Sequence, residues 1–206
     1  MANDPNGSHP GPVGTYDPGT ALIVVDVQND FADPQGSLYV PGGEHVVPTV
    51  NSEIAVAREA GALVVYTQDW HPETTRHFQK DGGIWPVHCV GGTWGAEFHP
   101  DLVVDGPVVR KGTDGSDGYS GFTVRDPNSG EESETELAEI LGEAGAERLV
   151  IVGLAQDYCV KETALDAREL GYHTELLADA TAPVNLSPGD GARAIATLVR
   201  AGVSVR

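Results

Sequence analysis

The 206 residues carry 31 acidic against 12 basic side chains, a formal charge of -19 that disfavours nucleic acid and anionic membrane surfaces as partners. A hydrophobic share of 40% is enough to bury one core, and no apolar run approaches the roughly 18 residues of a membrane span. The two cysteines, Cys89 and Cys159, sit in different contexts, so a disulfide framework is disfavoured and a cytoplasmic location is expected.

Residues 1–19 are polar and rich in Gly and Pro, without the basic and apolar regions of a secretory signal; they read as a disordered leader to a single domain over 20–206. The apolar run 21–25 predicts a strand ending at Asp26. From Gln28 to Gly43, Asp-Pro, Gly-Ser and Pro-Gly-Gly punctuation predicts a loop without regular structure. Val46, Val47, Val50, Ile54 and Ala57 then recur at helical spacing up to Gly61. A strand over 63–67 leads to Asp69. From Trp70 to Gly106 no periodicity is sustained, and an aperiodic excursion of that length usually carries function. A strand over 108–110 runs into Lys111, and a glycine-rich loop follows over 112–121. Ser133 is expected to cap an amphipathic helix containing Leu137, Ile140 and Leu141. Strand 149–152, helix 157–170, strand 174–178, helix 188–200 and strand 203–205 complete the chain. This alternation predicts an α/β fold, three-layer αβα, with a mainly parallel, doubly wound sheet of about six strands.

In such a sheet the carboxyl ends of all strands lie on one edge, where ligands bind. Asp26, Asp69, Lys111 and Cys159 each follow a strand and should therefore meet. Cys159, in the first turn of a helix, reads as a nucleophile whose thiol ionises below its free value of about 8.5; the alternative is a small buried cysteine in a strand-to-helix turn. Inside the aperiodic stretch, Asp69-x-His71 is followed by His77 and His88. One carboxylate and three imidazoles suit a borderline divalent ion such as Zn, Fe or Mn, the alternative being solvent-exposed loop histidines. His9, His45, His99 and His173 fall outside the pattern and read as surface or structural residues, and Cys89 as inner-wall packing. The chain has neither a phosphate-cradling glycine motif nor a G-x-S-x-G nucleophile elbow.

The blocks Asp26-Val-Gln-Asn-Asp-Phe31, Asp69-Trp-His-Pro72 with His77-Phe78, Trp85-Pro-Val-His-Cys-Val90, Lys111 with Tyr119-Ser-Gly-Phe122, and Gly153-Leu-Ala-Gln-Asp-Tyr-Cys-Val160 appear in order. Together they resemble the nicotinamidase/pyrazinamidase branch of the isochorismatase-like cysteine hydrolases, over about residues 20–205. The resemblance implies Cys159 as nucleophile, Asp26 as general base and acid, and Lys111 as the cation between them. It implies a cis Leu154-Ala155 bond, with the N–H groups of Ala155 and Cys159 as the oxyanion hole. Asp69, His71, His77 and His88 would hold one divalent metal, and Phe31 and Trp85 would sandwich a pyridine ring. The implied reaction converts nicotinamide to nicotinic acid and ammonia through a Cys159 thioester, with pyrazinamide deamidated likewise, as part of NAD salvage. The implied partner is this small molecule, with no nucleic acid or membrane, and with room for self-association into a homo-oligomer. Gln156, where many relatives have Thr or Val, and Tyr158, where some have His, bear on substrate preference. Two rival readings differ in their residues. A metal-free amidase of the superfamily, acting on carbamoyl or ureido groups, would lack the Asp-His ligand set, and a non-catalytic binding domain would be expected to lose Asp26, Lys111 or Cys159.

Overall fold

Strand β1 (Thr20–Val25) is buried at every position, which explains why it reads as an unbroken apolar run: a central parallel strand is covered on both faces. Its alternate residues serve different cores. Leu22 and Val24 pack with the apolar face of one helical layer, and Ala21, Ile23 and Val25 with the other, as the period of two requires. A computed structural model describes residues 16–206.

After β1 come the short helix α1 (Asn29–Ala32), helix α2 (Gly43–Glu59) and strand β2 (Leu63–Asp69). The long excursion contains only two 3₁₀ turns, Gln79–Asp81 and Trp94–Ala96, before β3 (Val108–Lys111). A small antiparallel hairpin, β4 (Thr123–Arg125) and β5 (Glu132–Glu134), precedes α3 (Leu137–Glu143). The chain ends with β6 (Arg148–Leu154), α4 (Cys159–Glu169), β7 (His173–Ala182), α5 (Asp190–Arg200) and β8 (Ser204–Val205). The six-stranded sheet has the order β3-β2-β1-β6-β7-β8, and every pairing in it is parallel. The expected αβα architecture is therefore present. α2 supplies Val46, Val47, Val50 and Ile54 to one core. α3, α4 and α5 supply Leu137, Leu141, Val160, Ala164 and Leu198 to the other.

The chain winds outward through β2 and β3 on one side of β1, then returns to build β6, β7 and β8 on the other. The order reverses between β1 and β6, the crevice where open α/β sheets bind ligands. Gly153 lets these two strands close up: its φ is +108° and a Cβ there would stand 2.1 Å from Val25 O, so only glycine fits.

Several local expectations need correction. The 28–43 segment is not wholly irregular, because Phe31 and Ala32 N–H both donate to Gln28 O and close α1. Ser133 does not cap a helix; it lies in β5 opposite Val124, and Thr135 Oγ1 accepts the Leu137 N–H at 3.2 Å instead. Asp157 precedes α4 rather than opening it, its carboxylate accepting the N–H groups of Val184 and Asn185, both at 2.9 Å. Of the expected leader, residues 1–15 lie outside the described residues. Its last part is packed: Tyr16 is buried, and its hydroxyl donates to Glu53 Oε2 at 2.8 Å. Among the described residues no helix is long and apolar enough to cross a membrane.

Candidate active site

Asp26 follows β1 directly, with φ +46°, a left-handed conformation uncommon for a non-glycine residue, though Asp tolerates it better than most. The turn aims its fully buried carboxylate along the strand ends. Asp69 and Lys111 are the last residues of β2 and β3 and stand opposite each other in register. Lys111 Nζ donates to Asp26 Oδ2 at 2.8 Å and to Tyr119 O at 3.2 Å. It also lies 2.9 Å from Asp69 Oδ1. That approach is an ion pair off the line of a hydrogen bond, so Asp69 Oδ1 is left without a hydrogen-bond partner. Lys111 thus sits between two carboxylates. The other oxygen of Asp26, Oδ1, accepts the hydroxyl of Thr67 at 2.6 Å.

Cys159 opens α4 just past β6, and its Sγ and the carboxylate oxygens of Asp26 and Asp69 lie within 4.8 Å of one another. The four strand-end groups meet as expected. The thiol's acidity does not follow expectation. Burial pushes the Cys159 thiol well above its usual value, and the opposing pull of Lys111 does not offset it, because Asp26 and Asp69 push the same way. Burial also raises Asp26 against the pull of Lys111. Burial would lower Lys111, yet Asp26 and Asp69 outweigh it and hold the ammonium charged. For Asp69, burial is outweighed by Lys111 and His71, which keep it well below the usual carboxylate range.

His71, His77 and His88 are all buried, not solvent-exposed loop residues, and each offers a ring nitrogen within 4.8 Å of the others. His71 and His77 stack with centroids 4.7 Å apart. Burial, together with neighbouring imidazoles, lowers His77 to about 3, and burial lowers His88. Neutral rings keep a lone pair for a metal. His88 Nδ1 lies 2.7 Å from Pro86 O; donation to that carbonyl leaves Nε2 as the acceptor. Neither ring nitrogen of His71 has a hydrogen-bond partner although both are buried. Buried polar atoms are seldom left so, and Asp69 Oδ2 stands only 3.8 Å from His71 Nε2. Three imidazoles within reach of one another, that of His71 without hydrogen-bond partners, and the adjoining Asp69 carboxylate fit a divalent ion. Outside this set, His45 and His173 are exposed and His99 is half-buried, while His9 lies beyond the described residues.

A pocket of about 370 Å³, its open mouth included, ends on Cys159, Asp69, His77 and His88, with Phe31 and Trp85 in its wall. Ala155 also lines it, and the Leu154-Ala155 bond is cis. Tyr158 lines the pocket as well, whereas Gln156 is buried beside it with its N–H on Ala182 O. Cys89 is fully buried and packs in the core on the α2 side of the sheet.

Tyr119 and Gln28 stand in the recognisable blocks, but nothing in the sequence assigns either a role. Trp85 Nε1 donates to the Tyr119 hydroxyl at 3.0 Å, so Tyr119 holds the ring through its side chain and Lys111 through its carbonyl. Gln28, fully buried, donates to Asp69 O and accepts from Asp69 N, each at 2.8 Å. Such reciprocal amide contacts lock the backbone of the residue they grip, and only the fold brings together partners this far apart in sequence.

The profile of the isochorismatase domain matches residues 20–205. The chain is 35% identical over 206 aligned residues to the nicotinamidase of Escherichia coli (strain K12), an alignment covering 91% of this chain and 94% of that protein. The solved pyrazinamidase of Pyrococcus horikoshii in complex with zinc superposes with a TM-score of 0.81 at 42% identity, covering 91% of this chain and 98% of that one. PnC1 from L. infantum in complex with nicotinate gives a TM-score of 0.83 at 39% identity, covering 93% and 94% of the two chains.

Proposed function

Since this chain belongs to the isochorismatase family, within its nicotinamidase branch, we propose that it hydrolyses nicotinamide to nicotinic acid and ammonia through a Cys159 thioester, and deamidates pyrazinamide likewise. The observation that carries the reading is the buried Asp26–Lys111–Asp69 array beside Cys159, at the end of an aromatic-walled pocket. An amide resists attack, so the site must supply a strong nucleophile, hold the oxyanion and protonate the leaving nitrogen.

Asp26, made more basic by burial, takes the Cys159 proton as sulfur attacks the carbonyl carbon. One negative charge thereby passes from Asp26 through sulfur to the carbonyl oxygen. The N–H groups of Ala155 and Cys159 receive the carbonyl oxygen as it becomes an oxyanion; the N–H of the first helical residue has no partner within its helix. As the C–N bond breaks, Asp26 returns the proton to nitrogen and ammonia leaves. Asp26 then takes a proton from water, the hydroxide adds to the thioester carbon, and loss of the thiolate, reprotonated by Asp26, releases the acid.

Phe31 and Trp85 would flank the aromatic ring of the substrate. Asp69, His71, His77 and His88 would hold the divalent ion, zinc, iron or manganese, which would orient the substrate ring through its pyridine nitrogen. Two free, buried cysteines accord with a cytoplasmic location, and the proposed reaction would serve NAD salvage.

Ammonia release from nicotinamide, with metal analysis of the same sample, tests the reading. Benzamide has the same shape without the ring nitrogen, and a polar contact left unpartnered is penalised heavily, so kcat/KM should favour nicotinamide by at least ~100-fold. Equal efficiency on benzamide would remove the metal's orienting role, and turnover of N-carbamoyl compounds with none of nicotinamide would move the chain to another branch.

A further inference from the structure

The mechanism makes no use of Asp30, yet it is buried and its two carboxylate oxygens hold two different loops. Oδ2 accepts the N–H of Cys89 at 2.7 Å, and Oδ1 accepts the N–H of Ser37 at 2.9 Å. Each loop carries part of the site. Cys89 adjoins His88, has φ +45°, and its carbonyl accepts the His71 N–H at 2.9 Å. Its backbone is therefore the joint between two imidazole-bearing segments, and Asp30 holds that joint in a left-handed conformation. On the other side, the Leu38 N–H donates to Asp30 O at 3.1 Å and the Val40 N–H to Phe31 O at 2.9 Å, and Leu38 and Val40 line the pocket. Two glycines reserve the room. A Cβ at Gly95 would stand 2.1 Å from Asp30 Oδ2, and one at Gly36 would stand 2.4 Å from Asp30 O.

We infer that Asp30 is a positioning residue that couples the metal-ligand turn at His88 to the pocket wall at Leu38 and Val40. The inference rests on the metal reading given above. Because one carboxylate serves both loops, an ion that fixes the His88–Cys89 turn also fixes the oxygen that Ser37 needs. By reciprocity, ordering the wall around substrate tightens the ion. The charge alone would give metal affinity without this link, so the link separates positioning from simple electrostatics.

The test is amide hydrogen exchange on the full chain, stripped with a chelator and then titrated with zinc. In the wild type, exchange at Cys89 and at Ser37 to Val40 should slow together, by about 10-fold, at the same zinc concentration. In Asp30→Asn one oxygen becomes an NH₂ that cannot accept. Zinc affinity should fall at least ~10-fold, as for lost partners of metal ligands, the zinc response at Ser37 should vanish, and KM for nicotinamide should rise by a larger factor than kcat falls. Gly95→Ala displaces the carboxylate with its charge intact and should uncouple the loops in the same way. Zinc that slows Cys89 but leaves Ser37 to Val40 unchanged in the wild type would overturn the coupling alone, and this arm needs no variant to fold. Failure of zinc, iron(II) and manganese alike to bind the wild type would overturn the metal reading and the coupling with it.

Discussion

Lys111 is the group around which the charges of the site are balanced. A buried ammonium is tolerated only where carboxylates repay its lost hydration, and here Asp26 and Asp69 stand 2.8 and 2.9 Å away. Lys111→Met would leave two buried carboxylates facing each other, and breaking such an array costs about 3–5 kcal/mol. Turnover should vanish and the denaturation midpoint should drop. Cys159→Ala separates chemistry from structure: it should abolish turnover with metal content unchanged and the midpoint moved far less than in Lys111→Met, because the neutral thiol adds no charge to this array. Urea titration, ammonia assay and metal analysis on the two proteins check this, and substantial activity in Cys159→Ala would remove the thioester. The convergence of Asp26, Asp69, Lys111 and Cys159 was legible because the strand-end rule needs only strand boundaries. The direction of the thiol's acidity was not, because the helix N-terminus is visible in sequence while full burial beside two carboxylates is not. Likewise Thr67, Gln28 and Tyr119 touch site residues only through tertiary contacts.

At the scale of elements, the spacing of β1 and β6 decides where Cys159 meets Asp26. Gly153→Ala would put a methyl group against Val25 O and force a side chain into φ +108°. Overpacking and a left-handed non-glycine together cost about 3 kcal/mol, or roughly 6–12 °C in Tm for a domain of this size. Activity should fall further than stability, since the shifted strand end carries Ala155 and Cys159. Thermal denaturation with parallel kinetics checks it, and an unchanged Tm would mean that the strands can separate freely. The central strands were readable as apolar runs because both faces are buried. The β4–β5 hairpin was not: Glu132, Ser133 and Glu134 are all exposed, and exposed polar residues carry no periodic signal, so pairing alone defines them. The 70–106 excursion showed its importance by lacking a pattern. Its shape rests on side-chain anchors such as Asp30 and Gln28, which periodicity does not report.

At the scale of the whole molecule, a formal charge of -19 is a cost that folding must overcome, since like charges are brought closer in the compact state. Salt relieves that repulsion: the screening length falls from about 30 Å at ~10 mM to about 8 Å at ~150 mM. The Asp26–Lys111–Asp69 array is buried and is screened far less, so salt should relax the surface without dissolving the site. Tm should therefore rise by several degrees over that range. The same field has a consequence for substrate. Nicotinamide is neutral and is neither attracted nor repelled, so its kcat/KM should change by less than about 2-fold with salt. An anionic substrate, such as a carbamoyl amino acid, would be repelled at low salt and its kcat/KM would rise steeply. Thermal scans and steady-state kinetics across one salt series measure both effects. A Tm that falls with salt would mean that surface ion pairs outweigh the net repulsion, and a steep rise of kcat/KM for the neutral amide would mean that salt acts on the site itself.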